Sequence, residues 1–294
     1  MKTSTSRAEK ALGWVAISLL LAITLVPILW AIRTAFTPNA DIFSGSWSPV
    51  PENATWLNFR RVLGLTSPEE NVAAGGSRAS MNFFRYLANS LFFVAVVVIG
   101  QVASSTMAAY AFARLRFRGR EALFVLFLAG LMIPPIFIIL PNFVLINELG
   151  WMDSFKGLIA PYFLVAPFGI FFLRQFFLGV PREIEEAAII DGANRWRVFF
   201  KVVFPMMKAP VVTLAIIQAV TAWNEYLWPQ LVGKSEDVRL LNVALAVFSQ
   251  TSPTTRPDWS GLMAAATLQM IPMLLVLLLF GRQLVSSIGL TSAK

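Results

Sequence analysis

Six long apolar stretches, separated by polar segments, set the pattern of this chain. Each stretch holds about 20 predominantly apolar residues, which is the length that a helix needs to cross the hydrocarbon core of a bilayer. The stretches are residues 11–32, 86–113, 122–140, 157–178, 209–232 and 261–281. The pattern predicts an all-α, polytopic membrane protein with six transmembrane helices.

The third and fourth stretches contain prolines. Pro134 and Pro135 lie in the third, and Pro161 and Pro167 lie in the fourth. Proline removes a backbone hydrogen bond and kinks a helix, which membrane proteins tolerate where neighbouring groups satisfy the freed carbonyls. We therefore expect two kinked helices, which serve either as moving hinges or as static bends.

The second stretch carries a row of small residues. Gly100, Ser104 and Ala108 recur at intervals of four residues, so they share one face of a helix. Small residues with this spacing let membrane helices approach closely, because packing drives their association in lipid. This face is predicted to contact another helix.

Basic residues indicate which ends of the helices are cytoplasmic. Lys2, Arg7 and Lys10 precede the first stretch, and four arginines between Arg114 and Arg120 follow the second. Short loops rich in Lys and Arg stay in the cytoplasm. The apolar core of a cleaved signal peptide is shorter, at about 7–15 residues, so the first stretch is predicted to be retained. With six spans, both termini are predicted to be cytoplasmic.

The same pattern divides the chain into parts. We expect a cytoplasmic N-terminus at residues 1–10 and a transmembrane domain at residues 11–281. The loops and tail are predicted as outer loops at 33–82, 142–155 and 233–260, a cytoplasmic loop at 181–208 and a cytoplasmic tail at 282–294.

Composition agrees with a membrane protein and excludes several kinds of chemistry. Hydrophobic residues make up 57% of the chain and charged residues 14%, against about 25% charged residues in typical soluble domains. The net charge of +8 does not indicate nucleic-acid binding, because the basic residues flank apolar stretches instead of forming one patch. The absence of Cys and His excludes thiol and imidazole catalysis and disulfides. Carboxylates do not cluster within the spans, so we predict neither an enzyme nor a metal site.

One short motif suggests nucleotide binding but fails a simple check. Gly233, Lys234 and Ser235 match the end of a phosphate-binding loop. That loop requires a further glycine five residues earlier, where this chain has Trp228. No cofactor is therefore expected on this chain.

The cytoplasmic loop is predicted to form a helix, a glycine corner and a second helix. Pro181 suits the first turn of a helix, and Gly192 suits a left-handed helix end that only glycine adopts without strain. The second helix is expected to begin near Asn194 and to be closed by Pro205 and Pro210. From the residues alone, this loop is either a coupling element or an interfacial amphipathic loop without a partner.

The spacing of this loop resembles the EAA loop in permeases of binding-protein-dependent ABC importers. Glu186, Ala187 and Ala188 are followed at the family's spacing by Gly192 and Pro205. In that family, the loop sits in a cleft of the ATP-hydrolysing subunit. The resemblance implies that the coupling residues are Glu185, Glu186, Ala187, Ala188, Asp191, Gly192 and Ala193.

The fifth stretch contains its own polar face. Gln218, Thr221 and Glu225 are spaced so that they share one side of a helix, and Glu225 is the only carboxylate deep in an apolar segment. An ionisable group there is costly unless it faces a cavity or a partner. These groups line a path for substrate or bind another span or a backbone carbonyl. The candidate path residues are Gln218, Thr221, Trp223, Asn224, Glu225 and Tyr226.

The segment from Trp223 to Pro229 and the Gly289-Leu290-Thr291 motif resemble the carbohydrate-type, maltose-permease-like members of the same family. This resemblance implies a contact of the tail with the ATPases through Gln283 and Gly289. It leaves the cargo open among mono- and oligosaccharides, polyols and glycerol phosphate.

The resemblance also implies an assembly in the inner membrane of a prokaryote. The expected partners are a second permease subunit forming a heterodimer, two ATP-binding subunits that hold ATP and Mg²⁺, and an extracytoplasmic solute-binding protein. The alternative is a carrier or channel for small polar solutes that works without an ATPase.

Overall fold

The structure, a computed structural model, is all-helical over the residues that it describes. These are residues 7–43, 48–73, 81–164, 166–250 and 257–289, with the backbone alone described for 247–250 and 282–289. The helices are α1 Arg7–Ala35, α2 Leu57–Val62, α3 Pro68–Ala73, α4 Phe83–Arg114, α5 Arg120–Gly130, α6 Pro135–Glu148, α7 Phe155–Ile159, α8 Pro167–Leu178, α9 Arg182–Ile190, α10 Arg195–Arg197, α11 Phe204–Met206, α12 Lys208–Trp223, α13 Leu227–Val232, α14 Leu241–Gln250 and α15 Trp259–Gly289. A π-helical segment, Val198–Val203, joins α10 to α11.

The chain forms two compact units. The first comprises residues Met1–Phe84 and Ala244–Ile271, and the second comprises Arg85–Val243 and Pro272–Lys294. Both candidate sites lie in the second unit.

Membrane-length helices account for much of the described chain. Three are long and apolar enough to cross a bilayer alone, namely Arg7–Ala35, Phe83–Arg114 and Trp259–Gly281. Two bent helix pairs raise the number to five if each pair is one span. These helices match the first, second and sixth predicted spans, and the full count of six stays a prediction.

The third predicted span is broken instead of merely kinked. Helices α5 and α6 meet at 94°, and Pro134 between them has an extended backbone, with φ −61° and ψ 133°. A residue before proline is pushed out of the helical region, whereas Pro135 is well suited to start a new helix. Since α6 continues to Glu148, the prediction of an outer loop from Asn142 was wrong for its first half.

The fourth predicted span is also interrupted. Helices α7 and α8 are separated by residues 160–166, which are not helical where they are described. The small-residue face of α4 packs against this break, because a Cβ on Gly100 would lie 2.3 Å from the carbonyl oxygen of Phe163. The Gln101 amide donates to the carbonyl of Tyr162 at 2.7 Å, and the Ser104 hydroxyl donates to that of Leu164 at 2.6 Å. The face approaches another segment closely, as predicted, but the segment it contacts at Gly100 and Ser104 is not helical.

A buried ion pair organises the first unit. The guanidinium of Arg61 pairs with the carboxylate of Asp258, and their side chains are 1% and 0% exposed. The Asn58 amide donates to the carbonyls of Ala35 and Thr37 at 2.8 and 2.9 Å. The described part of the predicted loop 33–82 therefore contains two short helices, α2 and α3, beside a polar network.

A cluster of buried apolar side chains forms the base of the second unit. It joins the C-terminal ends of α4 and α8 to the π-helical segment. Its buried members are Ala109, Tyr110, Ala113, Leu173, Phe177, Val198, Phe199, Val203, Met207 and Leu214. This base cluster supports the polar loop in which the coupling residues were predicted.

Candidate functional site

The loop after α8 forms a helix, a glycine corner and a second helical arm, as predicted. We call this segment, residues 181–206, the elbow. Helix α9 follows Pro181, which has an extended backbone and so caps the helix instead of entering its first turn. Gly192 has a φ of +82°. Its N–H donates to the carbonyl of Ile189 at 3.0 Å, and the N–H of Ala193 donates to that of Ala188 at 2.9 Å. This hydrogen-bond pair is a Schellman motif, which requires the left-handed conformation that glycine provides.

The second arm of the elbow begins and ends close to where the sequence placed it. Asn194 caps α10 by accepting from the N–H of Arg197 at 2.8 Å, and the helical path then runs to Met206. This end lies between Pro205 and Pro210, the two residues that were predicted to close the helix. Pro210 lies in the first turn of α12, where a missing N–H costs no hydrogen bond. The arm ends in a 77° bend before α12.

The structure separates the seven predicted coupling residues into two groups. Ala188 and Ala193 pack against the base cluster. Glu185 also turns inward, because it pairs with an arginine of α4. The other four are exposed, namely Glu186, Ala187, Asp191 and Gly192. We call these four residues the outer elbow face.

Glu185 is held by two side chains of α4. Its Oε1 lies 3.1 Å from Nε of Arg114, and the side chains are 13% and 4% exposed, respectively. The hydroxyl of Tyr110 donates to Oε2 at 3.3 Å. Arg114 also donates through Nη2 to the carbonyls of Phe177 and Val180. The sequence indicated only that Arg114 marks the cytoplasmic side, so its contact with the elbow was missed.

Large apolar side chains are exposed beside the outer elbow face. Ile190 is 85% exposed and Trp196 is 67% exposed. Trp196 stacks on Phe200, which is also exposed, with ring centroids 6.1 Å apart. Grouped exposed apolar side chains commonly mark an interaction surface.

A small cavity brings together part of the predicted path. Its volume is about 130 Å³, and Gln218, Thr221 and Glu225 line it. Two polar residues that the sequence did not single out, Gln101 and Tyr162, line it as well. The Glu225 carboxylate interacts with the Tyr162 hydroxyl. The cavity therefore offers amide, hydroxyl and carboxylate groups within one enclosure.

The other three predicted path residues do not line this cavity. Trp223 is buried and Tyr226 is exposed. The Asn224 amide donates to the carbonyl of Val220 at 2.8 Å, which is the alternative that the sequence left open for it.

Two structural roles near the cavity were not predicted. The backbone carbonyl of Glu225 accepts from the Asn242 side chain, so this residue also anchors the start of α14. Trp228 is fully buried. Its indole N–H donates to the carbonyls of Gly157 and Leu158 at 3.3 and 3.2 Å. Trp228 thus fixes α13 on α7.

The predicted tail contacts lie at the end of α15. Gln283 and Gly289 belong to this helix, but their side-chain surroundings are outside the described residues.

The long apolar helices identify a multi-pass membrane protein. The amino-acid sequence identifies the family to which it belongs. Residues 100–289 match the family described as binding-protein-dependent transport system inner membrane component. This match covers more than half of the chain, and the protein belongs to that family.

Curated relatives extend the similarity over nearly the whole chain. The diacetylchitobiose uptake system permease protein NgcG of Streptomyces coelicolor is 30% identical over 97% of this chain and 89% of its own. The trehalose/maltose transport system permease protein MalG of Thermococcus litoralis is 30% identical, with 93% and 92% covered. The sn-glycerol-3-phosphate transport system permease protein UgpE of Pectobacterium atrosepticum is 32% identical, with 88% of each covered.

A solved structure has the same fold. It is a bacterial ABC transporter involved in the import of the acidic polysaccharide alginate, with a TM-score of 0.77 at 21% identity. The match covers 96% of this chain and 99% of that chain.

Proposed function

We propose that this protein is the permease subunit of an ABC importer for a sugar or a related polyol. The relatives are named for diacetylchitobiose, trehalose and maltose, and glycerol 3-phosphate, all of which carry several hydroxyl groups. The amide and hydroxyl groups of the small cavity suit such cargo, because they both donate and accept hydrogen bonds. Gln101, Tyr162, Gln218, Thr221 and Glu225 then form part of the translocation path.

The outer elbow face is proposed to dock on a separate ATP-hydrolysing subunit. The observation that carries this proposal is its exposure beside Ile190 and Trp196. Small side chains such as Ala187 let a partner approach the backbone, and exposed apolar side chains supply contact area. The partner chains hold ATP and Mg²⁺, and this chain holds no cofactor.

The proposed assembly contains four kinds of subunit. A second permease forms the path with this chain, two ATP-binding subunits bind the elbows, and an extracytoplasmic solute-binding protein delivers the cargo. This arrangement requires both termini of the chain and the elbow to be cytoplasmic in a prokaryotic inner membrane.

Single-cysteine crosslinking tests the docking. The chain has no Cys, so Ala187→Cys and Ala188→Cys place one thiol each on adjacent residues, one exposed and one packed inward. In membranes containing the whole transporter, Ala187→Cys should crosslink to the ATP-binding subunit and Ala188→Cys should do so much less. Equal labelling, or no crosslink from Ala187→Cys in an active transporter, contradicts the proposal.

The same thiols test the orientation and the alternative function. An impermeant maleimide added to intact cells should label Gly150→Cys, which lies in a predicted outer loop, and should not label Ala187→Cys. Reconstituted transporter should import cargo only with the ATP-binding subunit and ATP. Uptake by this chain without any ATPase would instead favour a carrier or channel.

A further inference from the structure

We propose that Arg114 is a positioning residue that connects the elbow to helices α4 and α8. Through the Arg114–Glu185 ion pair, movement of the elbow is transmitted to the transport path. This inference rests on the proposed function, in which an ATP-binding subunit moves the elbow. In this inference, Glu185 acts through a contact within its own chain and not through docking on the ATP-binding subunit.

One guanidinium joins three elements. Arg114 is the last residue of α4, and its Nε lies 3.1 Å from the carboxylate of Glu185 in α9. Its Nη2 donates to the carbonyls of Phe177, in the last turn of α8, and of Val180, which lies just beyond that helix. The last carbonyls of a helix have no partner within that helix, so they are available to an outside donor. A displacement of Glu185 therefore shifts Arg114 and its contacts at the C-terminal ends of both α4 and α8.

The ion pair is largely buried. Arg114 Nε and Glu185 Oε1 make no hydrogen bond in the described part of the chain, so the charge contact at 3.1 Å joins these two atoms. A buried charge that loses its counter-charge is strongly unfavourable, so the two groups are expected to move together. Tyr110 donates to the other carboxylate oxygen, and its ring packs against Phe177 with centroids 5.7 Å apart.

The geometry requires arginine. The guanidinium presents several N–H groups in a rigid plane, which lets it contact a carboxylate and two carbonyls at once. Lysine offers a single ammonium group on a flexible stem, so it would keep the charge but not all three contacts.

The helices joined by Arg114 also line the polar cavity. Val97 and Gln101 of α4 and Pro167 and Phe168 of α8 contribute to its wall. The ion pair thus lies at one end of two helices whose other portions face the proposed path. Movement of the elbow would tilt these two helices through this contact, which changes the shape of the cavity.

Charge-neutral and conservative variants test the inference in the complete transporter. Glu185→Gln and Arg114→Lys are reconstituted with the partner subunits, and both ATP hydrolysis and uptake are measured. Uptake per ATP hydrolysed should fall at least about fivefold, the lower end of the coupling typical of allosteric proteins. Glu183→Gln and Arg116→Lys are the matched controls, because both residues are exposed and lie in the same two segments; neither should change the ratio.

The outcomes separate this inference from the proposed function. If the wild-type transporter fails to couple ATP hydrolysis to uptake, the proposed function is wrong. If the wild type is coupled and Glu185→Gln has an unchanged ratio, the inference is wrong. Tyr110→Phe removes only the hydroxyl contact with Glu185. It is the test variant to use if Glu185→Gln and Arg114→Lys fail to assemble with the partner subunits. It should give a smaller decrease in the same ratio, and an unchanged ratio would overturn the inference.

Discussion

Replacing Gly192 by valine is the most direct test of the elbow corner. Gly192 has a φ of +82° in a Schellman motif that ends α9. A Cβ at this position would meet nothing within 4 Å. The substitution therefore introduces no clash within the chain, and its whole effect comes from the backbone conformation.

The size of the effect follows from that conformation. An L-residue in the left-handed helical region costs about 1–2 kcal/mol, and a β-branched residue is an outlier there. That cost shifts the equilibrium between the native corner and other local conformations by roughly 5- to 30-fold. The outer elbow face is then held less often in the geometry that is proposed to bind the ATP-binding subunit. We expect normal insertion into the membrane but less uptake per ATP hydrolysed.

Two other glycines provide matched controls. Gly119 and Gly150 have φ values of +80° and +67°, and a Cβ on either would also meet nothing within 4 Å. Gly119→Val and Gly150→Val therefore impose similar backbone strain in other loops, and neither should change the ratio of uptake to ATP hydrolysis. Gly192→Asn should keep more coupling than Gly192→Val, because asparagine tolerates the left-handed region.

The assay is reconstitution of the full transporter in vesicles, with cargo uptake and phosphate release measured in parallel. A Gly192→Val transporter with wild-type uptake per ATP would refute the argument from the corner. Equal losses in all three valine variants would also refute it, because the effect would then be general destabilisation.

Three further predictions concern stability, measured by thermal unfolding of the purified protein in detergent. Trp228→Phe should lose at least about 1 kcal/mol, because the buried N–H donor is lost and the smaller ring leaves unfilled space; an unchanged melting temperature would contradict this. Gly100→Ala should prevent correct folding, because its Cβ would lie 2.3 Å from a backbone oxygen, whereas Gly281→Ala meets nothing within 4 Å and should be neutral. Arg61→Met should cost about 3–5 kcal/mol by removing the counter-charge of the buried Asp258, and adding Asp258→Leu should recover part of that loss; a double variant no more stable than the single one would count against it.

Local chemistry made the elbow predictable. Gly192 was identified because only glycine adopts the required backbone conformation without strain, and the structure gives it that conformation. The inward and outward faces of α9 were not predictable in the same way. Glu185 and Glu186 are identical side chains in adjacent positions, and only the positions of Arg114 and Tyr110 in the folded chain distinguish them.

The candidate path residues were likewise only partly predictable from the sequence. Gln218 and Thr221 were found because helix periodicity relates residues that are close in sequence, whereas Glu225 reaches the cavity from the break after α12 and not from the predicted shared helix face. Gln101 and Tyr162 reach the same cavity from distant segments, and periodicity gives no information about such contacts. The prolines located the break between α5 and α6, but the 94° angle depends on what each half packs against.

The interruption between α7 and α8 bears on how the protein is energised. Broken helices in secondary transporters commonly leave carbonyl groups that coordinate Na⁺. Here the carbonyls of Tyr162 and Leu164 already accept from Gln101 and Ser104. This segment needs no bound cation to satisfy those two groups, which agrees with the proposed use of ATP hydrolysis by a partner chain.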